Sequence, residues 1–190
     1  IFKYRKRRKV WDWATRSMKP SLPNKNGSQG INLIGYTTYA LGIGEDVRTC
    51  FHALTAAGVD TKIIDFMPGD GLFGRRELSL EDEVMHARNK PDYEVSLICL
   101  TAEETTRWAI TAENSTKGPR KYIIGYWPWE LPNWPKNMLH ALSIVDEIWV
   151  STNYIAKGLE DHTKKPIKVM PLCAETPDFP AKPLNAVERR

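Results

Sequence analysis

Two short stretches of this 190-residue sequence carry residue types that could do chemistry. The first is Leu41-Gly42-Ile43-Gly44-Glu45, two small residues just ahead of a segment with helical periodicity. Backbone N–H groups in such a turn can approach a phosphate closely, and the helix dipole favours negative charge there. The turn is not the dinucleotide fingerprint, because Val47 stands where a third glycine belongs. It is not a P-loop either, since no Gly-Lys-Ser/Thr follows. Its alternative reading is a purely structural turn. The second stretch, Gly125-Tyr126-Trp127-Pro128-Trp129-Glu130-Leu131-Pro132-Asn133-Trp134-Pro135, packs three tryptophans, three prolines and one acid into eleven residues. Aromatic faces suit the apolar C–H surfaces of sugar rings, while hydroxyls need a polar partner such as Glu130. The cluster as a whole therefore reads as a saccharide-binding surface. Against this, tryptophans also plug cores, and prolines stiffen loops.

Other constellations are eliminated quickly. His52, His86, His140 and His162 show no ligand spacing, so no metal site is expected. There is no Gly-x-Ser-x-Gly elbow of the hydrolase type. Cys50, Cys99 and Cys173 are far apart in sequence with no CxxC pair, which fits reduced, buried thiols in a cytoplasmic protein. Cys50 reads as core. Glu103, Glu104 and Glu113 are within reach of a ligand crevice, although a solvated helix face is the simpler fate for them. No catalytic base stands out.

These segments have to be positioned by something, and the periodicity says what. Gly30–Gly35 is a short apolar run bounded by glycines, the pattern of a buried parallel strand. Glu45-Asp46 open a helix whose apolar face is Val47, Cys50, Phe51 and Leu54, with Gly58 as its stop. Thr61–Asp65 is the next strand, completing a βαβ unit. Further strands are expected at 94–100, 121–126, 147–150 and 166–170. Helices are expected from a Ser79 cap to Arg88, over 102–113, from Pro135 through Leu142, and from a Ser151 cap to about Asp161. Regular alternation of this kind means α/β: a Rossmann-like open parallel sheet with helices on both faces. In such a sheet the carboxyl ends of the strands line the ligand crevice, and both chemical stretches follow a strand.

Charge divides the chain. Residues 1–25 carry nine Lys or Arg against one acid, whereas the remaining 165 hold eighteen basic and twenty-two acidic side chains. The globular part is mildly acidic and offers no general case for nucleic acid. The run Lys3–Lys9 with Trp11 and Trp13 reads either as a solvated linker or as an electrostatic anchor, residues 1–13 touching a membrane surface. Turn formers at 20–28 mark its end. The expected organisation is a basic linker or tail over 1–29, the α/β domain over 30–175, and the start of an interdomain linker over 176–190. No run of about 18 apolar residues exists to cross a membrane.

The succession Gly30–Tyr36, Leu41–Arg48, Tyr126-Trp-Pro-Trp-Glu-Leu-Pro132 and Val145-Asp-Glu-Ile-Trp-Val-Ser-Thr152 resembles the family 4 (group 1) glycosyltransferases of bacterial surface-polysaccharide synthesis. The similarity spans roughly residues 30–175, and its Trp-rich and Asp-Glu-Ile-Trp-Val segments are more specific than the glycine turn. The resemblance implies the N-terminal half of a GT-B fold, in which two Rossmann-like domains face each other across a cleft. That half mainly binds the saccharide acceptor, at Tyr126, Trp127, Trp129 and Glu130. The C-terminal domain, with the family's Glu-x7-Glu motif beyond this sequence, would hold most of the nucleotide sugar. Gly42, Ile43 and Gly44 would meet the donor diphosphate. A retaining hexosyl transfer follows, using a nucleotide-diphosphate sugar as co-substrate with no cofactor and no obligatory metal. It implies a cytoplasmic enzyme, peripheral to the inner membrane if the basic run anchors it. The family's histidine after the fourth strand is absent, since Thr101-Ala102-Glu103 follow Leu100. The alternative function is a non-catalytic carbohydrate- or nucleotide-binding α/β module.

Overall fold

The structure, a computed structural model, describes residues 29–67, 77–90, 92–110 and 122–174. Six parallel strands form one sheet among them: β1 (Ile31–Gly35), β2 (Thr61–Asp65), β3 (Val95–Cys99), β4 (Tyr122–Tyr126), β5 (Glu147–Val150) and β6 (Ile167–Val169). Their order is β2-β1-β3-β4-β5-β6. The chain leaves β1 on one side to make β2 and returns on the other as β3, so a topological switch point lies between β1 and β3. The expected Rossmann-like open α/β sheet is present.

The period of two in each strand sends alternate residues to opposite faces. Leu33, Leu97, Cys99 and Ile124 point to one face, where they meet Val47, Cys50, Phe51 and Leu54 of α1 (Gly42–Ala56). Ile63 of β2 joins that face under α2 (Glu81–Ala87), packed by Leu80, Val84 and Ala87. Ile34, Ile98, Ile123, Ile148 and Val150 line the opposite face under α3 (Ala102–Ile110), a 3-10 helix (Leu139–Ser143) and α4 (Asn153–Glu160). Helices therefore cover both faces. One polar residue sits inside the β1 run. Asn32 is fully buried and bonds the Tyr93 carbonyl (2.7 Å), the Tyr93 N–H (3.1 Å) and Ser96 Oγ (3.2 Å), pinning the start of β3 to β1.

Several element ends differ from the sequence expectation. α1 begins at Gly42 rather than Glu45, because Leu41 is the extended N-cap and its carbonyl accepts from Gly44 and Glu45. α1 ends as expected near Gly58, whose φ of 71° a side chain would resist. Ser79 does not cap α2; Leu80 holds that position without a side-chain bond. Thr152, not Ser151, caps α4, accepting from the Ile155 N–H at 3.3 Å. The helix expected from Pro135 is reduced to the 3-10 turn at Leu139–Ser143, since Trp134 turns into the core and its neighbours follow. The basic run 1–13, Glu113 and the 176–190 segment lie outside the described residues.

Candidate functional site

Both chemical stretches arrive at the carboxyl edge of the sheet, but their residues take different jobs there. In the glycine turn, Gly44 is buried. A Cβ on it would lie 2.5 Å from the Tyr39 carbonyl oxygen and 2.7 Å from that of Tyr36. Its N–H is spent on the Leu41 carbonyl at 2.9 Å. Gly44 is thus the contact through which the helix sits on its own preceding loop. Gly42 is exposed, with nothing within 4 Å of a Cβ built on it. The N–H groups of Gly42 and Ile43, in the first turn of α1, make no hydrogen bond among the described residues. They are the donors available to a ligand.

Arg48 holds that loop in shape. Its guanidinium is buried, with 7% of the residue exposed, and Nη1 donates to the carbonyls of Thr37 (3.2 Å) and Tyr39 (3.1 Å). Nε and Nη2 both reach Glu45 Oε2 at 2.9 Å. Thr38 is fixed from the other side, its N–H and hydroxyl donating to the two carboxylate oxygens of Asp65 (3.0 and 2.7 Å). The turn is therefore pre-shaped before any ligand arrives. The sequence signal for Arg48 was its place beside Val47 and one turn after Gly44, a lone cation on an apolar face.

The Trp-rich loop divides from core to surface. Trp127 is fully buried, and its Nε1–H donates to Thr105 Oγ1 on α3 at 3.0 Å. Gly125 makes room for that indole, because a Cβ there would stand 2.6 Å from it. Trp134 is 5% exposed and packs between Trp127 and Trp129, with ring centroids at 5.9 and 5.5 Å. Its own Nε1–H finds no partner among the described residues. Trp129 is half-buried and donates to the Asn133 carbonyl at 3.2 Å, while Glu130 is exposed. Of the four residues expected to meet a saccharide, Trp129 and Glu130 thus present surface. Trp127 is a core residue, for the reason that its ring plugs the gap between β4 and α3. Tyr126 is 6% exposed, and its hydroxyl donates to the Met170 carbonyl at 3.0 Å. Burial pushes its phenol well above the ordinary tyrosine range.

A cleft of about 30 Å³ is lined by Asp46, the residue after the glycine turn, with Tyr126, Trp127 and Pro128 of the Trp-rich stretch, Ser151 and Leu172; Gly42, Ile43, Gly44, Trp129 and Glu130 do not line it. Asp46 brings the first turns of α1 to the ends of β4 and β5. A second polar group, which the sequence did not single out, stands at the switch point. Arg107 of α3 lies 4.2 Å over the Phe66 ring and donates to the Tyr36 hydroxyl (3.0 Å) and to Glu104 (2.5 Å). Tyr36 stacks on Phe66 at 6.1 Å, and burial together with Glu104 raises its phenol strongly. Glu104 is consequently engaged, whereas Glu103 is exposed. Only the strand-to-strand register brings residues 36, 66 and 107 together, so no local pattern announces them.

All three cysteines are free; Cys99 is buried as expected, Cys50 is only half-buried, though it packs on the core beneath α1, and Cys173 is exposed. Among the described residues no cluster of His, Cys, Asp or Glu could hold a metal, and no helix is long and apolar enough to cross a membrane. Compared with known proteins, the chain gives no significant match to a family model, a curated protein or a solved structure.

Proposed function

We propose that this chain is the acceptor-side, N-terminal domain of a sugar-nucleotide-dependent glycosyltransferase acting in surface-polysaccharide or glycoconjugate synthesis. One observation carries the reading: Asp46, the residue after the glycine turn, and the start of the Trp-rich loop line a single cleft at the carboxyl edge of a parallel sheet. The Gly42 and Ile43 N–H groups, one turn ahead of Asp46 on α1, would meet the developing negative charge on a departing diphosphate. Trp129 and Glu130 offer an apolar face and a hydrogen-bond acceptor to a saccharide. Transfer proceeds with retention from a nucleotide-diphosphate sugar to an acceptor hydroxyl, and needs a second domain for most of the donor. Alone, this chain binds more than it catalyses.

A second reading has its own support. The order β2-β1-β3-β4-β5 is that of flavodoxin-like sheets, which take a nucleotide at the β1/β3 switch point. It favours a non-catalytic nucleotide-binding module. Calorimetry separates the two. The glycosyltransferase reading expects oligosaccharide binding and only weak affinity for uridine- and guanosine-diphosphate sugars. Tight nucleotide binding with no response to any saccharide would overturn it.

A further inference from the structure

We propose that the Asp46–Ser151 cleft is a hydroxyl-recognition pocket that takes the hydroxymethyl arm of a saccharide. The inference rests on the saccharide-binding reading above and adds the atoms that would do the binding. Asp46 lies just past the first turn of α1, beyond the free N–H groups that a carboxylate could cap, so solvent is its ordinary partner there. Solvent reaches it only in part. Its side chain is half-buried and accepts no hydrogen bond among the described residues, while Glu45 is held by Arg48. Burial raises the Asp46 carboxyl above its ordinary range, and the Glu45 charge adds to this. A half-buried carboxylate without a donor costs stability, so it marks a place where a donor is expected from elsewhere.

The opposite wall supplies the complement. Ser151 follows β5 directly and is freed from helix capping because Thr152 takes that task. Its hydroxyl makes no hydrogen bond among the described residues and lines the same cleft. The remaining walls are Tyr126, Trp127, Pro128 and Leu172, largely apolar, with Leu172 55% exposed at the mouth. Two unspent polar groups on apolar walls match a –CH2–OH group, whose carbon seeks the walls while its oxygen both donates and accepts. Size makes the choice sharper. A cleft of about 30 Å³ has room for one or two water-sized groups and none for a sugar ring. The ring would lie outside and only its arm would enter, donating to Asp46 and accepting from Ser151.

Ligand-observed saturation-transfer NMR on a panel of methyl hexopyranosides and their 6-deoxy analogues tests the assignment. The parent protein should bind at least one glycoside and lose about tenfold or more in affinity for its 6-deoxy form, the effect of one hydrogen bond to a charged group. Asp46→Asn and Ser151→Ala should each weaken the hydroxylated glycoside by several-fold and leave the 6-deoxy form unchanged. Circular dichroism checks that both variants remain folded. If glycosides bind but neither the deoxy analogues nor the variants differ from the parent, the cleft assignment falls and the saccharide reading survives. If no glycoside binds at all, both fall.

Discussion

The two glycines of the α1 turn should respond to the same substitution in opposite ways. In Gly44→Ala the new methyl starts 2.5 and 2.7 Å from two carbonyl oxygens and 3.1 Å from Arg48 Nη1. Reaching an ordinary contact requires those carbonyls to retreat by roughly 0.7–0.9 Å, past the range where dispersion is attractive. They are not free to do so. The Tyr39 oxygen accepts from Leu41 N–H at 2.8 Å and from Arg48, and the Tyr36 oxygen accepts from Tyr39 N–H at 3.3 Å. Overpacking of this kind costs about 1–3 kcal/mol, against about 1 kcal/mol regained from the better helix propensity of alanine. A net loss of up to about 2 kcal/mol follows. In Gly42→Ala the methyl meets nothing within 4 Å, and the reduced freedom of the unfolded chain should stabilise by about 0.4–1 kcal/mol. Urea unfolding followed by circular dichroism reads both. A Gly44→Ala protein more stable than the parent would refute the packing argument. So would a Gly42→Ala protein destabilised by more than about 1 kcal/mol. Titration with uridine diphosphate adds the functional half: at Gly42 the added methyl has only a ligand to obstruct, so affinity should drop while stability does not.

Three further outcomes follow from the same geometry. Thr105→Val should cost about 1–3 kcal/mol, because it strands the buried Trp127 Nε1–H without an acceptor, and urea melts should register it. Asp46→Asn should raise the melting temperature at neutral pH. A carboxyl raised by burial favours the folded state below its ordinary pKa and loses that benefit as pH rises through the folded value, so removing the charge helps; a lowered melting temperature would contradict this. Tyr93, through its hydrogen bond to Asp60, and Tyr122, chiefly through burial, are pushed up to about 12. Their ordinary value is 10.0, so the stability they contribute is intact below pH 10 and lost between 10 and about 12. An ultraviolet titration showing all tyrosines ionising near 10 in the folded protein would count against both.

The strands and the first βαβ unit were legible because their signals are local. Thr61–Asp65 and Glu147–Val150 were bounded correctly by short β-branched or aromatic runs, and the end of α1, though not its start, by a four-residue apolar face ending at Gly58. Helix ends were less legible, since Ser79, Ser151 and Pro135 are good starting residues that tertiary neighbours overrode. Within the candidate site, composition pointed to two loops at the carboxyl edge of the sheet and could not tell which of their members are buried. Trp127 and Trp129 are two residues apart and chemically identical, yet one is fully buried against Thr105 and the other half-exposed.

The sequence by itself therefore determined an open α/β sheet and two loops at its carboxyl edge, because periodicity and glycine placement act over a few residues. Strand order, the Arg48 clamp, the Tyr36–Phe66–Arg107 cluster and the Asp46–Ser151 cleft were decided only by tertiary structure. Each depends on which strands become neighbours, and that choice is made by burial summed over the whole core. The physical reason is range: a side chain reads its own turn of helix or strand directly, but it meets residue 107 from residue 36, or 151 from 46, only after the sheet has closed the distance.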